Sequence, residues 1–258
     1  MKRRYLLVLM FLPLAPSYAQ EVQFKAGDAV SLEPDKAYIL ARTFETKGAG
    51  LQGTVRIAPV LARLLTEDEL RQVAMLRNAD PKHWKEKAAP NVLEMLTGQP
   101  FSQANGQTTL LAAARPGTYI LAGVAVVSWA STDVGAMVVS LALGTVKFEA
   151  KPGVITDLGE ILAVREDQPT TIPELSKVVT GKPSGLAGYY PYVVAIRPTS
   201  ANTSVPTALA SLPRTSANYR AMAAFPNYAG ANLGRITPLT GILDYAVNGD
   251  VVDLKSNH

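Results

Sequence analysis

The chain has 258 residues, with 25 Lys and Arg against 21 Asp and Glu. It contains no cysteine, which excludes a disulfide framework, a thiol nucleophile, a thiolate metal site and a lipidated cysteine. A chain of this length can bury a sizeable core without such cross-links.

The first 19 residues have the pattern of a cleavable secretory signal peptide. Three basic residues at 2–4 precede an apolar stretch over 5–16, and small residues at 17 and 19 suit a cleavage site. A lone membrane anchor would need about 20 apolar residues, and Pro13 and Pro16 interrupt the stretch. The paired arginines also fit a twin-arginine signal, but the short basic region and strongly apolar core favour the general secretory route. We therefore predict a mature protein that starts near Gln20 and is periplasmic or secreted.

Removal of this segment changes the charge balance. It takes away three basic and no acidic residues, which leaves 22 Lys and Arg against 21 Asp and Glu, a net charge of +1. Nucleic-acid binding needs a basic surface that neutralises phosphates, so no nucleic-acid partner is expected. Asp133 divides the apolar region 119–143, and neither half reaches the about 18 residues that a membrane helix needs. No membrane span is therefore expected after cleavage.

Residues 20–197 are predicted to form one β domain with an inserted helical segment. Short strands are predicted between Val22 and Ile57, separated by a turn at 33–36 and by three glycines at 48–53. At about 60–104 the pattern becomes helical. Thr66 and Glu69 form a capping box, apolar residues follow at helical spacing, and a second short helix is predicted around 91–96. Whether this insertion is a separate domain stays open.

The β pattern returns at Thr108. Apolar or alternating runs over 119–129, 134–143, 145–149, 154–162 and 189–196 predict further strands. A turn followed by related strands occurs twice, starting at Pro34 and at Pro116, and two such units suggest the facing halves of a sandwich. The alternative is that hairpins reuse the same turn chemistry. The predicted fold is mainly β, an antiparallel β-sandwich of the Ig-like or transthyretin-like type with a helical insertion and an extended C-terminal arm ending in a hairpin.

The C-terminal part divides into a linker and extended arm over 198–240 and a hairpin over 241–258. Asn248-Gly249 is a strong hairpin signal, and a two-residue turn there would place Asp244 opposite Asp253. Two facing carboxylates can hold a cation or share a proton, which makes this pair a metal-site candidate. The alternative is a solvated edge with both groups in water.

A cluster of tyrosines is a candidate for partner binding. Tyr189, Tyr190 and Tyr192 cluster around Pro191, and exposed aromatic rings there could stack on a glycan or contact an envelope protein. The alternative, which we favour, is that these rings and the aromatic residues of the arm, Tyr219 among them, fasten the strand end and the arm to the domain.

No catalytic or cofactor signature is present. The chain lacks the G-x-S-x-G elbow, the S-x-x-K pair, the phosphate-binding loop, the H-E-x-x-H zinc motif and the dinucleotide-binding glycines. We expect no cofactor and favour a non-enzymatic binding or scaffolding protein of the envelope. The alternative is a periplasmic hydrolase or carbohydrate-active enzyme whose carboxylates converge only in the fold.

Several turn and strand segments resemble those of exported proteins of Gram-negative bacteria that are labelled only as proteins or domains of unknown function. The motifs that carry the resemblance are 116–121, 144–148, 152–159, 238–243 and 251–253, and the resemblance as a whole extends over roughly half of the mature chain. Some of those proteins carry cysteines before the Gly-Thr-Val strand, where this chain has Ser140-Leu141-Ala142-Leu143. The resemblance implies an exported β-sandwich and supplies no activity.

Overall fold

The computed structural model describes residues 22–44, 46–47, 54–64, 66–82, 92–94, 100–128, 136–140, 145–165, 168–176, 179, 192–200, 203–222, 243–245 and 251–253. Its strands are β1 (Gln23–Phe24), β2 (Ala37–Phe44), β3 (Thr46–Lys47), β4 (Thr54–Arg63), β5 (Val92–Glu94), β6 (Ser102–Ala104), β7 (Gln107–Ala114), β8 (Gly117–Ser128), β9 (Ala136–Ser140), β10 (Thr145–Ala150), β11 (Ile155–Arg165), β12 (Tyr192–Arg197), β13 (Arg214–Ser216), β14 (Arg220–Met222), β15 (Leu243–Tyr245) and β16 (Val251–Asp253). The helices are α1 (Glu67–Ala79), α2 (Pro173–Ser176) and a short 3-10 helix (Thr207–Leu209).

The strands form two seven-stranded sheets and one separate pair. The first sheet has the order β1-β7-β2-β11-β12, with β6 also beside β7 and β13 also beside β11. The second has the order β14-β10-β8-β4-β3, with β5 beside β4 and β9 beside β8. The prediction of a mainly β protein is confirmed. The prediction of antiparallel pairing throughout is wrong, because β2 and β13 both run parallel to β11. Parallel strands need a long crossover, and here β6 and β7 of the first sheet and every strand of the second sheet except β14 lie in the chain between β2 and β11.

The inner faces of the two sheets share one hydrophobic core. The first sheet contributes Ile39 and Leu110, and the second contributes Ile57 and Leu121, all at most 1% exposed. The outer face of the first sheet is covered as well, by apolar residues from the N-terminal segment and from the segment around Leu209. Strands buried on both faces carry continuous apolar runs. This burial explains why β2, β7 and β11 lack a regular polar alternation.

The repeated turn–strand pattern does not produce two equivalent halves. The strands that follow the two related turns, β2 and β8, do lie in different sheets. However, β4 and β10, which complete the two units, both lie in the second sheet on either side of β8. The two turns are therefore similar in sequence but connect strands that are not equivalent in the fold.

Helix α1 begins as the sequence predicts. The Thr66 hydroxyl accepts a hydrogen bond from the Glu69 amide, and the Glu69 carboxylate accepts one from the Thr66 amide, which completes the capping box. Arg63 at the end of β4 donates two hydrogen bonds to the same carboxylate, at 3.0 and 2.5 Å. The Arg63 guanidinium, with smaller contributions from Thr66, lowers the pKa of Glu69 to about 2. The helix is thus anchored to the second sheet by its first turn.

The rest of the predicted helical insertion is different. Strand β4 continues to Arg63, and the short helix expected around 91–96 is wrong where the structure describes it, because Val92–Glu94 forms β5 beside β4. Pairing with a neighbouring strand satisfies the backbone there, and this outweighs a weak local preference for helix. Within the described residues, no helix has the length and apolar character that crossing a membrane requires.

Strand β11 is irregular where β2 passes it. In the register between the two strands, Leu40 pairs with Asp157 and Arg42 with Glu160, so β11 gains one residue in a β-bulge. Gly159 occupies the bulge with φ of +78°. A Cβ atom at this position would lie 2.2 Å from the Arg197 carbonyl oxygen, so only glycine fits between β11 and the end of β12.

Residues 203–222, which we call the strap, cross from the first sheet to the second. The strap pairs with β11 through β13 and with β10 through β14. Leu209 and Tyr219 are buried at 0% and 2% exposure. The composition of this region predicts a linker and arm, but these described residues belong to both sheets. A few well-spaced apolar side chains and strand pairing are enough to fix a segment whose average composition is polar.

Replacing Gly159 with alanine tests the close packing at the bulge. The added methyl would clash with the Arg197 carbonyl in a backbone conformation that alanine disfavours, so we expect a loss of about 3 kcal/mol or more in the free energy of unfolding. Gly106→Ala is the matched control, because Gly106 has φ of +74° and no atom within 4 Å of the added methyl. The control should lose only about 1 kcal/mol. Equal losses in urea unfolding would show that the bulge tolerates a side chain.

Candidate functional site

Among the described residues, one ion pair is buried completely in the first sheet. Arg42 on β2 donates from its two terminal nitrogens to the two carboxylate oxygens of Asp157 on β11, at 2.8 and 2.9 Å. Both side chains are 0% exposed. A buried ion pair is favourable only with good geometry and further hydrogen bonds, because both charges lose their hydration.

Those further bonds are present around Asp157. The Gly159 amide donates to Asp157 Oδ1 at 2.9 Å, and Arg214 Nε lies 3.6 Å from Oδ2. Burial alone would raise the pKa of Asp157. The hydrogen bonds from Arg42 and Gly159 and the charge of Arg42 outweigh it and hold the pKa below its ordinary range. Asp157 is therefore an ionised carboxylate at neutral pH.

The same pair fastens the strap to the first sheet. The third guanidinium donor, Arg42 Nε, donates to the Ser204 carbonyl at 3.0 Å. Further along the strap, the Ala217 amide donates to the Asp157 carbonyl at 2.8 Å. Since neither charged side chain reaches solvent, neither can touch a ligand. The pair positions the strap and is not itself a binding or catalytic site.

An aromatic contact fixes the point at which the strap crosses between the sheets. The Tyr219 hydroxyl donates to the Leu158 carbonyl at 2.7 Å, and its ring meets Phe148 edge-on at 5.9 Å between centroids. Phe148 in turn stacks on Tyr119 of β8. Burial, and then the nearby charge of Asp157, raise the pKa of Tyr219 well above its ordinary value, so the hydroxyl stays a donor.

The crossing of the strap creates an open groove beside β10. The groove encloses about 310 Å³ and has nine lining residues: Thr118, Lys147, Phe148, Glu149, Lys151, Thr215, Ser216, Asn218 and Arg220. Phe148 is buried at its base, whereas the three charged residues of β10 and its end are exposed. Ligand sites commonly start at about 300 Å³, so the groove has room for a small polar group.

Charge is arranged unevenly along this groove. Lys147 on β10 lies directly opposite Arg220 on β14 in the strand register, so the two cations share one face. Glu149 follows two residues after Lys147, and Lys151 two residues after that, at steps of about 7 Å. Within the part of the chain that the structure describes, none of these four side chains has an ion-pair partner. Three cations and one carboxylate give the groove a net positive charge.

Like charges directly opposite each other on paired strands destabilise a sheet. Lys147 and Arg220 are such a pair, and Glu149 lies beside them and not between them. An anion held between the two cations would remove their repulsion. The groove can therefore bind an anionic group, with hydroxyl and amide side chains available on its other lining residues.

The predicted metal candidate, Asp244 with Asp253, lies on the last two strands. Strands β15 and β16 pair as a hairpin, but the register places Leu243 opposite Asp253 and Asp244 opposite Val252. This register differs by one residue from the one that the predicted two-residue turn at Asn248-Gly249 would give. In the backbone pairing Asp244 and Asp253 are therefore not directly opposite each other, and cation binding by these two residues stays a prediction. Among the described residues, no group of three or more His, Asp or Glu side chains is placed to hold a metal ion.

The predicted tyrosine candidates are not brought into this groove. Tyr189 and Tyr190 lie outside the described residues, and Tyr192 begins β12 with a side chain outside them. Partner binding by these three residues stays a prediction. For Tyr219 the favoured alternative is confirmed, because this ring fastens the strap to the core.

The groove is not predicted from the sequence. The alternation of Lys147 and Glu149 with buried neighbours marks β10 as a strand with one polar face, and this signal is visible in the sequence. Arg220 gives no such signal, because its position opposite Lys147 depends on the path of the strap.

Replacing Asp157 with asparagine tests the buried pair. Arg42 would be left as a buried charge without its carboxylate, so we expect a loss of about 3–5 kcal/mol in the free energy of unfolding. Glu160→Gln is the control, because the Glu160 pair with Arg197 is partly exposed and should be worth at most about 1 kcal/mol.

The effect should also depend on pH. Since the folded-state pKa of Asp157 is lowered, its stabilising contribution is complete above about pH 4 and is lost as the pH falls through the folded-state value. The stability difference between the wild type and Asp157→Asn, followed by chemical unfolding, should therefore shrink in acid. A difference that stays constant from neutral pH to pH 3 would contradict an ionised Asp157.

Comparisons with protein-family models, with curated proteins and with solved structures found no match to this chain. The resemblance to exported proteins of Gram-negative bacteria stays a prediction, and the chemistry of the groove is the basis for a functional assignment.

Proposed function

We propose that this chain is an exported, non-enzymatic binding module of the cell envelope and that its ligand or partner occupies the groove. The observation that carries the proposal is the pair of cations, Lys147 and Arg220, which lie opposite each other on paired strands and have no ion-pair partner among the described side chains. A surface that keeps two repelling charges together at a cost in stability is better explained by binding than by folding.

The fold of the module is proposed as a β-sandwich of the Ig-like or transthyretin-like type. Two sheets that share one core support this assignment. The parallel pairs on β11 are the point at which it departs from an antiparallel sandwich. Loops and edge segments of such scaffolds commonly carry the binding surface, and the strap has that place here.

Binding is favoured over hydrolysis by the composition of the groove. Glycoside hydrolysis by two carboxylates needs a pair separated by about 5–9.5 Å. Of the nine lining residues, Glu149 is the single carboxylate. The alternative of a carbohydrate-active enzyme with convergent carboxylates therefore has no support from this groove.

Export is proposed from the signal-peptide pattern of residues 1–19. When the full chain is produced in a Gram-negative host, the protein recovered from the periplasm should begin at Gln20, as judged by intact mass and N-terminal sequencing. A chain that keeps Met1 and fractionates with the cytosol would contradict export.

Retention of an envelope component tests the binding proposal. The mature protein, the double variant Lys147→Gln/Arg220→Gln and the control Lys25→Gln/Lys82→Gln are immobilised and exposed to the same envelope extract. Lys25 and Lys82 are exposed and lie outside the groove, so the control removes equal charge elsewhere. We expect a component that the wild type and the control retain and the groove variant loses, with all three chains equally folded by circular dichroism. Equal retention by all three, or none by the wild type, would contradict the proposal.

A further inference from the structure

We propose that the groove binds an acidic saccharide, with its acid group between Lys147 and Arg220 and its ring hydroxyls beside Glu149. This inference rests on the proposed function and names the chemical class of the ligand. It comes from the order of charged and neutral polar side chains along the groove.

The acid end of the ligand is set by the two facing cations. Lys147 presents a compact ammonium, and Arg220 presents a planar guanidinium that can donate two parallel hydrogen bonds to one carboxylate or phosphate. Arg220 is half-buried on the edge strand β14, so its side chain loses less freedom on binding than that of a fully exposed residue.

The ring hydroxyls of the ligand would lie beside the polar residues next to the two cations, which are Glu149, Thr118 and Asn218. In the strand register Glu149 lies opposite Thr118, and Asn218 lies two residues before Arg220 on the other side of β10. A carboxylate, a hydroxyl and an amide side by side accept and donate hydrogen bonds to a polyhydroxylated ring. Glu149 would repel a second anionic group at this position, so the ligand carries its acid at one end.

Other ligand classes fit these residues less well. A polyphosphate chain would place a negative charge against Glu149. An apolar peptide side chain would find no exposed apolar surface, because Phe148, the one large apolar lining residue, is 2% exposed. A neutral sugar is usually held by stacking on an exposed aromatic ring, which these lining residues do not offer. An acidic sugar gains its affinity from the cations instead.

The test is a titration of the ¹⁵N-labelled mature protein followed through its backbone amide signals. The four probes are glucuronate, glucose, glutamate and inorganic phosphate, each at the same ionic strength, because exposed ion pairs are screened by salt. Glucuronate should shift the amides of β10 and β14 in a saturable manner. Glucose should shift none, and glutamate should shift them less than glucuronate.

Three single variants separate the two ends of the site. Lys147→Gln and Arg220→Gln should each weaken glucuronate binding by about fivefold, the size expected for a solvent-accessible charge pair. Glu149→Gln should weaken glucuronate but leave phosphate binding equal or stronger, because it removes a hydrogen-bond acceptor for the ring and a repelling charge for the anion. Lys82→Gln, outside the groove, should change neither.

Two results would overturn the inference. One is a glucuronate titration that leaves the β10 and β14 amides unchanged. The other is binding of phosphate or glutamate as tight as that of glucuronate, with Glu149→Gln strengthening all three. If the groove still retains an envelope component in either case, the proposal of a binding module remains supported and the proposed ligand class is wrong. If no component depends on the groove, both proposals fail.

Discussion

The ion pair between Arg42 and Asp157 is the constraint on which the rest of the described structure depends. It joins β2 to β11 where these strands run parallel, and it sits beside the bulge that Gly159 makes possible. Removing two charges from water is costly in free energy. The cost is offset by five polar contacts, which are the two hydrogen bonds within the pair and the contacts with Ser204, Gly159 and Arg214. Because those contacts come from distant parts of the chain, they are all made only when β2, β11 and the strap have this arrangement.

The buried ion pair also positions the strap, which forms one wall of the groove. The Ser204 carbonyl accepts a hydrogen bond from Arg42, and the Ala217 amide donates one to the Asp157 carbonyl. Tyr219 then packs in the core between the two sheets, next to the start of β14. Strand β14 follows immediately, so the position of Arg220 opposite Lys147 is fixed by contacts buried below it. A groove whose wall is held from inside keeps its charged side chains in place before a ligand arrives, and this lowers the cost of binding.

The sequence predicts the local features of this fold and misses those that depend on distant contacts. The capping box at Thr66 is a property of four consecutive residues, so α1 starts where predicted. The prediction of a two-residue turn at Asn248-Gly249 also rests on local residues, yet the observed register of β15 and β16 differs from it by one residue. Tyr219 is predicted to fasten this region to the domain, but the strand pairing of the strap and the burial of Leu209 are missed because the average composition of the segment is polar. The groove is not predicted, because the position of Arg220 opposite Lys147 depends on the path of the strap.

Amide hydrogen exchange of the wild type and of Arg42→Met tests most directly whether the buried pair holds the strap and thereby the groove. If it does, the variant loses protection first at the amides of Ala217 and of β13 and β14, while the amides of β7 and β8 in the two sheets keep theirs. Unchanged protection of the strap, or an equal loss across strap and sheets, would contradict the dependence of the groove on this ion pair.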